Sequence, residues 1–300
     1  MKNLFITGSN GFLGSRIINY IIENKLFNKV FAISRNLSHY ANASSICSIS
    51  YEAFYNNTRK LIKNETGILL HLAFARSSNS DSIIESIRLL ENVSIHAKNI
   101  GVSTIVNISS QSVYDQYRTK PAEESDLPKP QGLYGLAKFY SESYLENFSK
   151  KHGIKLINLR LASLIGPSLN QRIIPRLINS ALIDKQIKIS SNMEKFSLLH
   201  VNDAARMISE ISFNADKAKE LVYNVGADET YNLVEIVQII TRELEKAGID
   251  SIDVFVEKSS GKQFNNTLNL KKVNRDFNLF ARISLERAVK LEIMRYLDEE

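Results

Sequence analysis

This chain of 300 residues has a single cysteine, five prolines and no long apolar run. With Cys47 alone, an internal disulfide framework and a multi-cysteine metal site are both excluded, and no metal centre is expected. No apolar stretch is long enough to span a bilayer, and the opening "MKNLFIT" is too brief for the core of a signal peptide. A cytoplasmic location and no membrane partner are therefore predicted. Clustered basic residues are missing too. The net charge of +6 is scattered through amphipathic segments, which argues against a nucleic-acid partner and suits an attraction for small anions. Asn-x-Ser/Thr matches such as Asn107–Ser109 are then accidental.

What is present is the balance of a folded protein. Hydrophobic residues at 44% and charged residues at 23% supply enough apolar surface for a core, which excludes a mostly disordered chain. The first half alternates strand-like and helix-like patterns. Strands are predicted at 3–8, 30–34, 67–73, 103–109 and 154–160, and helices at 12–25, 81–100 and 133–152. The stretch 35–64 reads less clearly, as a weak strand near Ile46–Ile49 followed by a polar helix. Repeated strand–helix crossover is the doubly wound, Rossmann-type α/β plan with a parallel sheet. Three of the five prolines fall in "TKPAEESDLPKP", which must be a loop.

Beyond Gly166 and Pro167 the alternation becomes irregular, with helices predicted at 171–184, 202–213, 231–246 and 284–297 and strands at 187–189, 221–226 and 251–257. We read this as a smaller α/β C-terminal lobe interleaved with the main sheet. Residues 1–165 with about 197–225 would form the dinucleotide-binding domain, and about 166–196 with 226–300 the substrate lobe.

Two short motifs carry chemistry. "TGSNGFLG" places Gly8, Gly11 and Gly14 between the first strand and the first helix, where a tight turn presents backbone N–H groups to a pyrophosphate. About 20 residues further on, where an acidic residue often holds the adenosine ribose, the chain has Ser34 and Arg35. Arginine pairs with a 2′-phosphate or stacks on adenine, so both NAD and NADP stay open as cofactors. The second motif is "YGLAK", in which Tyr134 and Lys138 share one helix face. A phenol titrates near pH 10 and needs a neighbouring positive charge to act as a base at neutral pH, which a lysine one turn away supplies.

Together with "SSQSVY", "HLAFAR", "LRLASLIGP" and "LLHVNDAA", these motifs resemble the extended short-chain dehydrogenase/reductases, in particular the NAD-dependent epimerase/dehydratase group that includes UDP-galactose 4-epimerase. The resemblance covers essentially the whole chain. It implies that Tyr134 is the general acid/base, Lys138 the residue holding the nicotinamide ribose, and Ser110 the hydroxyl that orients the reacting oxygen. It also implies a cofactor lying against Gly8, Gly11, Phe12, Leu13 and Gly14 at the turn. Further along it would touch Ser34 and Arg35, then Leu72, Ala73 and Phe74, then Ile108, Ser109 and Leu161. The implied substrate is a nucleotide-diphosphate sugar, touching Ser110, Tyr134, Ser163, Arg172 and Lys195.

The departures from the family pattern shape the expected reaction. Dehydratases carry an acidic pair directly after the catalytic hydroxyl, and here Gln111 and Ser112 stand there. Epimerisation at C3 or C5 can use a Cys–His pair, and Cys47 lies far from this segment in sequence. Two readings survive: a 4-epimerase, favoured by the likeness across "HLAFAR" and "LRLASLIGP", and a 4-keto reductase using NADPH, favoured by Ser34 and Arg35. A third reading, a dinucleotide-binding sensor without catalysis, is disfavoured because such relatives commonly lack the tyrosine or lysine. Where the family often grips the diphosphate with arginine, this chain has Phe196, with Lys195 beside it. Lys195, Arg172 or Lys262 would have to substitute. Apolar stripes on the helices at 81–100 and 133–152 imply, by the same resemblance, a homodimer.

Overall fold

The computed structural model describes residues 2–37, 44–57, 66–167, 172–191, 194–258 and 264–298. The first strand, β1 (Lys2–Thr7), is buried on both faces, with Leu4 and Ile6 turned to one side and Phe5 to the other, as the pleat of a strand dictates. It feeds α1 (Phe12–Asn24), whose Ile17, Ile18 and Ile21 recur at helical spacing and are buried. Each such side chain contributes roughly 1.5–3 kcal/mol. The chain continues through β2 (Lys29–Ile33), β3 (Ile46–Ile49), α2 (Tyr51–Asn57), β4 (Thr66–His71), α3 (Ser80–Asn99) and β5 (Val102–Ser110). A short 3-10 turn at Gln111–Val113 and a long loop lead to α4 (Leu133–His152), which stops at Gly153 in the left-handed region (φ 65°) and passes into β6 (Lys155–Leu161).

These strands and β11 (Val222–Val225) form one parallel sheet of seven strands in the order β11-β6-β5-β4-β1-β2-β3. The order reverses between β1 and β4: the chain builds outward to β3, then crosses back to the other side of β1. A crevice opens beyond the strand ends at such a switch point, and it receives ligands in doubly wound sheets. Gly8 and Leu72, the residues that follow Thr7 and the one after His71 at the ends of β1 and β4, stand at its mouth.

Apolar clusters cover both sheet faces. On one, Leu4, Ile6, Leu70, Val106 and Ile157 pack with α1 and with α6 (Val201–Phe213); on the other, Phe5, Phe31, Leu69 and Ile105 pack with α3 and α4. A third cluster gathers α5 (Ile173–Ile183), β8 (Gln186–Ser191), α7 (Leu233–Lys246) and α9 (Leu285–Asp298), through Ile178, Ile187, Ile240 and Val289 among others. β8 pairs in parallel with β12 (Asp253–Lys258). This is the smaller C-terminal lobe.

Several elements escape sequence patterning because they are too short to show a period. These are β7 (Ser163–Ile165), β9 (Lys195–Phe196), β10 (Leu198–His200), β13 (Asn265–Asn266) and α8 (Lys271–Phe277). The strand expected at 187–189 is longer, Gln186–Ser191, and the helix expected from 171 begins at Ile173, with Arg172 as its N-cap. Within 35–64 the weak strand and the following helix are present as β3 and α2, and the remainder of that stretch falls largely outside the described residues, as does Lys262.

Candidate active site

The glycine turn is built by close approach. Gly8 has φ +70°, and a Cβ there would lie 3.0 Å from the backbone nitrogen of Ala73. At Gly14 the constraint is tighter, since a Cβ would stand 2.2 Å from the Gly8 carbonyl oxygen. The first turn of α1 has Gly11 as N-cap with no side-chain cap, so its N–H groups are left for an anion. The Thr7 hydroxyl ties the two strand ends together across the switch point, accepting from the backbone N–H of Leu72 (3.2 Å) and of Ala73 (3.4 Å). It also lies 2.9 Å from Nδ1 of His71. That imidazole is fully enclosed; burial, and then the charge of Lys138, push its pKa down to about 3, so it stays neutral at physiological pH.

Above the turn lies a cavity of about 300 Å³. Gly8, Gly11, Phe12, Leu13 and Gly14 line it from the turn, Leu72 and Phe74 from the end of β4, and Ile108, Ser109 and Ser110 from the end of β5. Tyr134 and Lys138 reach it from α4, Leu161 and Ser163 from the segment β6–β7, and Arg172 from the start of α5. Most of the expected residues therefore meet in one place. Four do not. Ala73 backs the glycine turn through its main chain, Ser34 is buried at the end of β2, Arg35 beside it is exposed, and Lys195 is exposed on β9 away from the lining.

Lys138 is 3% exposed. Its Nζ donates to the Ile108 carbonyl at 2.8 Å and sits 4.0 Å from the centre of the Phe74 ring. Burial drives its pKa down to about 7, while Glu142, one turn further along α4, pulls the other way. Glu142 gives only part of its charge to that task. It accepts from Arg160 Nε (3.0 Å) and Nη2 (2.7 Å) and from the Ser109 hydroxyl, in a buried ion pair beneath the site. Tyr134 meets the edge of Phe74 with ring centres 6.2 Å apart. Burial raises its phenol pKa, opposed by the Arg76 charge and by a hydrogen bond with Ser110. A phenol, an ammonium and a hydroxyl converging on the mouth of a nucleotide cradle can move a proton to and from a carbinol oxygen.

Sequence reading passed over several contributors. Arg76 lies two residues beyond Phe74 with its guanidinium 5.8 Å from the Tyr134 ring centre, and no spacing rule marks it. Gly135 matters because a Cβ there would fall 2.3 Å from the Ser112 carbonyl oxygen; its absence lets α4 rest against the turn that follows Ser110. Glu142 was legible as the third member of a ladder with Tyr134 and Lys138 at four-residue steps. Gln111 donates to the Ser163 hydroxyl at 2.9 Å, joining the ends of β5 and β7. His200 accepts from the Asn202 N–H at the start of α6, and Asp203 accepts from Arg206 and from the backbone N–H groups of Arg282 and Ile283, so both are engaged in capping and packing. Cys47 is exposed on β3, at the sheet edge.

Residues 4–226 match the model of the NAD dependent epimerase/dehydratase family. The chain belongs to that family. It is 25% identical over 268 residues to a dTDP-4-dehydro-6-deoxyglucose reductase of Escherichia coli, covering 83% of this chain and 84% of that protein. Its fold is similar to that of a UDP-N-acetylglucosamine 4-epimerase from Bacillus cereus, with a TM-score of 0.80 at 21% identity over 98% of this chain and 96% of that one. A UDP-glucuronic acid 4-epimerase from Bacillus cereus, solved with a fluorinated UDP-sugar and NAD, superimposes with a TM-score of 0.78 at 20% identity over the whole of both chains. NAD, the cofactor of this epimerase/dehydratase family, suits the residues present. The uncapped start of α1, reached through a turn that Gly8 and Gly14 allow to close tightly, fits a pyrophosphate, and the buried Lys138 lines the same cavity.

Proposed function

We propose that this family member is a nucleotide-sugar epimerase that inverts C4 through a transient 4-keto sugar. The observation that carries the proposal is the convergence of Ser110, Tyr134 and Lys138 on one cavity, with Gln111 and Ser112 beside them instead of a carboxylate pair. Bound NAD supplies the hydride acceptor and donor. Tyr134 takes the proton from the C4 hydroxyl and returns it to the same oxygen after the keto sugar has turned over. Ser110 holds that oxygen by a hydrogen bond, and Lys138 holds the ribose and favours the phenolate with its charge. The third apolar cluster, residues about 166–196 with 226–300, serves as the substrate lobe in this reading, and the exposed apolar residues of α3 and α4 as the contact of a homodimer.

A second reading, an NADPH-dependent 4-keto reductase, is favoured by Ser34 and Arg35 at the end of β2, where an exposed arginine suits a 2′-phosphate. One preparation separates the two. NAD released by heating the purified protein, together with interconversion of 4-epimeric UDP-sugars followed by NMR without net cofactor change, is the expected result. Stoichiometric consumption of NADPH would give the reductase. Tyr134→Phe is expected to lower turnover by roughly 10²–10⁴-fold while leaving the bound cofactor in place; unchanged turnover would remove the phenol from the mechanism.

A further inference from the structure

A second, larger cavity of about 520 Å³ adjoins the first, and Arg76, Gln111, Ser112 and Tyr134 line both, so the two are continuous at the phenol. Its charge is one-sided. Arg76 and Arg118 line it, and no aspartate or glutamate does among the described residues. Arg76 makes no ion pair and no hydrogen bond among the described residues; its guanidinium lies 5.8 Å from the centre of the Tyr134 ring. Arg118 donates to the carbonyls of Asp115 (2.9 Å) and Thr267 (3.3 Å), and its buried Nε has no hydrogen-bond partner among the described residues. The nearest acid along the loop, Asp115, is already held by Lys129 at 2.7 Å. The helix α4 starts at the same wall, with Gly132 as an N-cap that offers no side chain and no acidic residue in the first turn. Its free N–H groups add positive potential to that of the two guanidiniums.

Asp115, Asp126 and Glu194 act on Arg118 through their charge, but neither arginine is held in an ion pair among the described residues, so both guanidiniums can turn to an anion that takes several charge-assisted hydrogen bonds. We infer that Arg76, Arg118 and the start of α4 form the subsite that recognises an anionic group of the substrate. This rests on the nucleotide-sugar reading and adds to it. The anion is held from the loop after β5 and from the loop after β4, and not by Lys195, which is exposed on β9. Arg118 can stand in for β9 because the strands meet here: the Asn265 N–H donates to the Arg118 carbonyl at 2.8 Å, and Asn266, paired with Phe196, lines the cavity. Two groups on a nucleotide sugar have this chemistry, the diphosphate and a carboxylate on an acidic sugar.

Calorimetric titration of the NAD-loaded protein with inorganic pyrophosphate, UDP, UDP-glucose and UDP-glucuronate tests the inference and tells the two sources apart. Arg118→Gln is expected to weaken binding by about tenfold or more, the loss typical of a charge-assisted contact. Equal losses for UDP and UDP-glucose assign the diphosphate; a loss confined to UDP-glucuronate assigns a sugar carboxylate. Arg76→Gln, which gives up no hydrogen bond of the fold, is the companion variant should the first be poorly folded. If both variants bind every ligand as tightly as the unaltered protein, the subsite is overturned. If the unaltered protein ignores all UDP compounds yet binds pyrophosphate in an Arg118-dependent way, the anion subsite stands and the nucleotide-sugar reading falls.

Discussion

An ammonium enclosed by protein, with a neighbouring carboxylate already shared with an arginine, gives up its proton early, and this is the situation of Lys138. Without cofactor the lysine titrates at about 7, far below the unfolded chain. The sign follows from proton counting. Between about 7 and the ordinary lysine range the unfolded chain binds more protons than the folded one, so this residue makes stability rise with pH across that window. Each tenfold change in proton affinity is worth ~1.4 kcal/mol. Tyr134, with its pKa raised, acts oppositely and only above pH 10. The cofactor-free protein is therefore expected to gain stability between pH 7 and 9 relative to Lys138→Met, in matched urea titrations. The Cε signal of Lys138 in carbon-labelled protein should move through a midpoint near 7. A midpoint near 10.5 would show that the Lys138 ammonium is solvated and would remove this contribution to the pH dependence. At this scale the tyrosine and lysine were legible because their chemistry demands a fixed spacing. Arg76 and Arg118 were not, since each belongs to the site through the folding of a loop.

Helix α4 carries both proposed catalytic side chains, so its seating governs their aim. The seat is Gly135 against the turn after Ser110. A Cβ at that position would meet the Ser112 carbonyl at 2.3 Å and Pro130 at 3.0 Å, and backbone cannot step aside as a flexible side chain does. Gly135→Ala is expected to cost about 1–3 kcal/mol of stability, the usual range for overpacking. It should also lower turnover more than it lowers cofactor content, because Tyr134 is displaced while the glycine turn on α1 is untouched. Equal losses in both would mean that the whole fold had been disturbed. Elements like α4 and β5 announce themselves in sequence because length lets a pattern repeat. β9 and β13, of two residues each, leave no pattern and exist because the strands beside them place their backbones in register.

At the scale of the whole molecule, α3 and α4 lie side by side, joined by Tyr140 donating to Glu91 at 2.9 Å. Both show apolar residues outward: Ile84 and Ile95, eleven apart and so on one side of α3, with Leu136 and Tyr140 on α4. They are 45%, 49%, 55% and 44% exposed respectively, and a second copy packed on this face would cover them. Light scattering at micromolar concentration is expected to give the mass of two chains, and Ile95→Glu the mass of one, with the cofactor still bound. A single-chain mass for the unaltered protein would refute the homodimer. The doubly wound plan was readable because strand and helix alternate through the first half. The packing of the C-terminal lobe was not, since β8 and β12 are joined from stretches more than sixty residues apart, as their register shows.

The loop between the turn after Ser110 and the start of α4 is long enough to wander, and it does not. Ala122 in its middle donates to the Thr267 carbonyl, Glu124 accepts from the Asn224 N–H, and Tyr114 near its beginning donates to Asn224 at 2.7 Å. Pegged to the free edge of β11, the segment behaves as two short spans, each with a smaller closure entropy than the whole. The same pegs shield that edge from pairing with a stray strand. An insertion near Lys120 would slacken the first span, whereas one near Lys129 would loosen the second, the span that leads directly into Tyr134. Length tolerance along this loop should thus fall toward its far end, where slack becomes misalignment of the phenol.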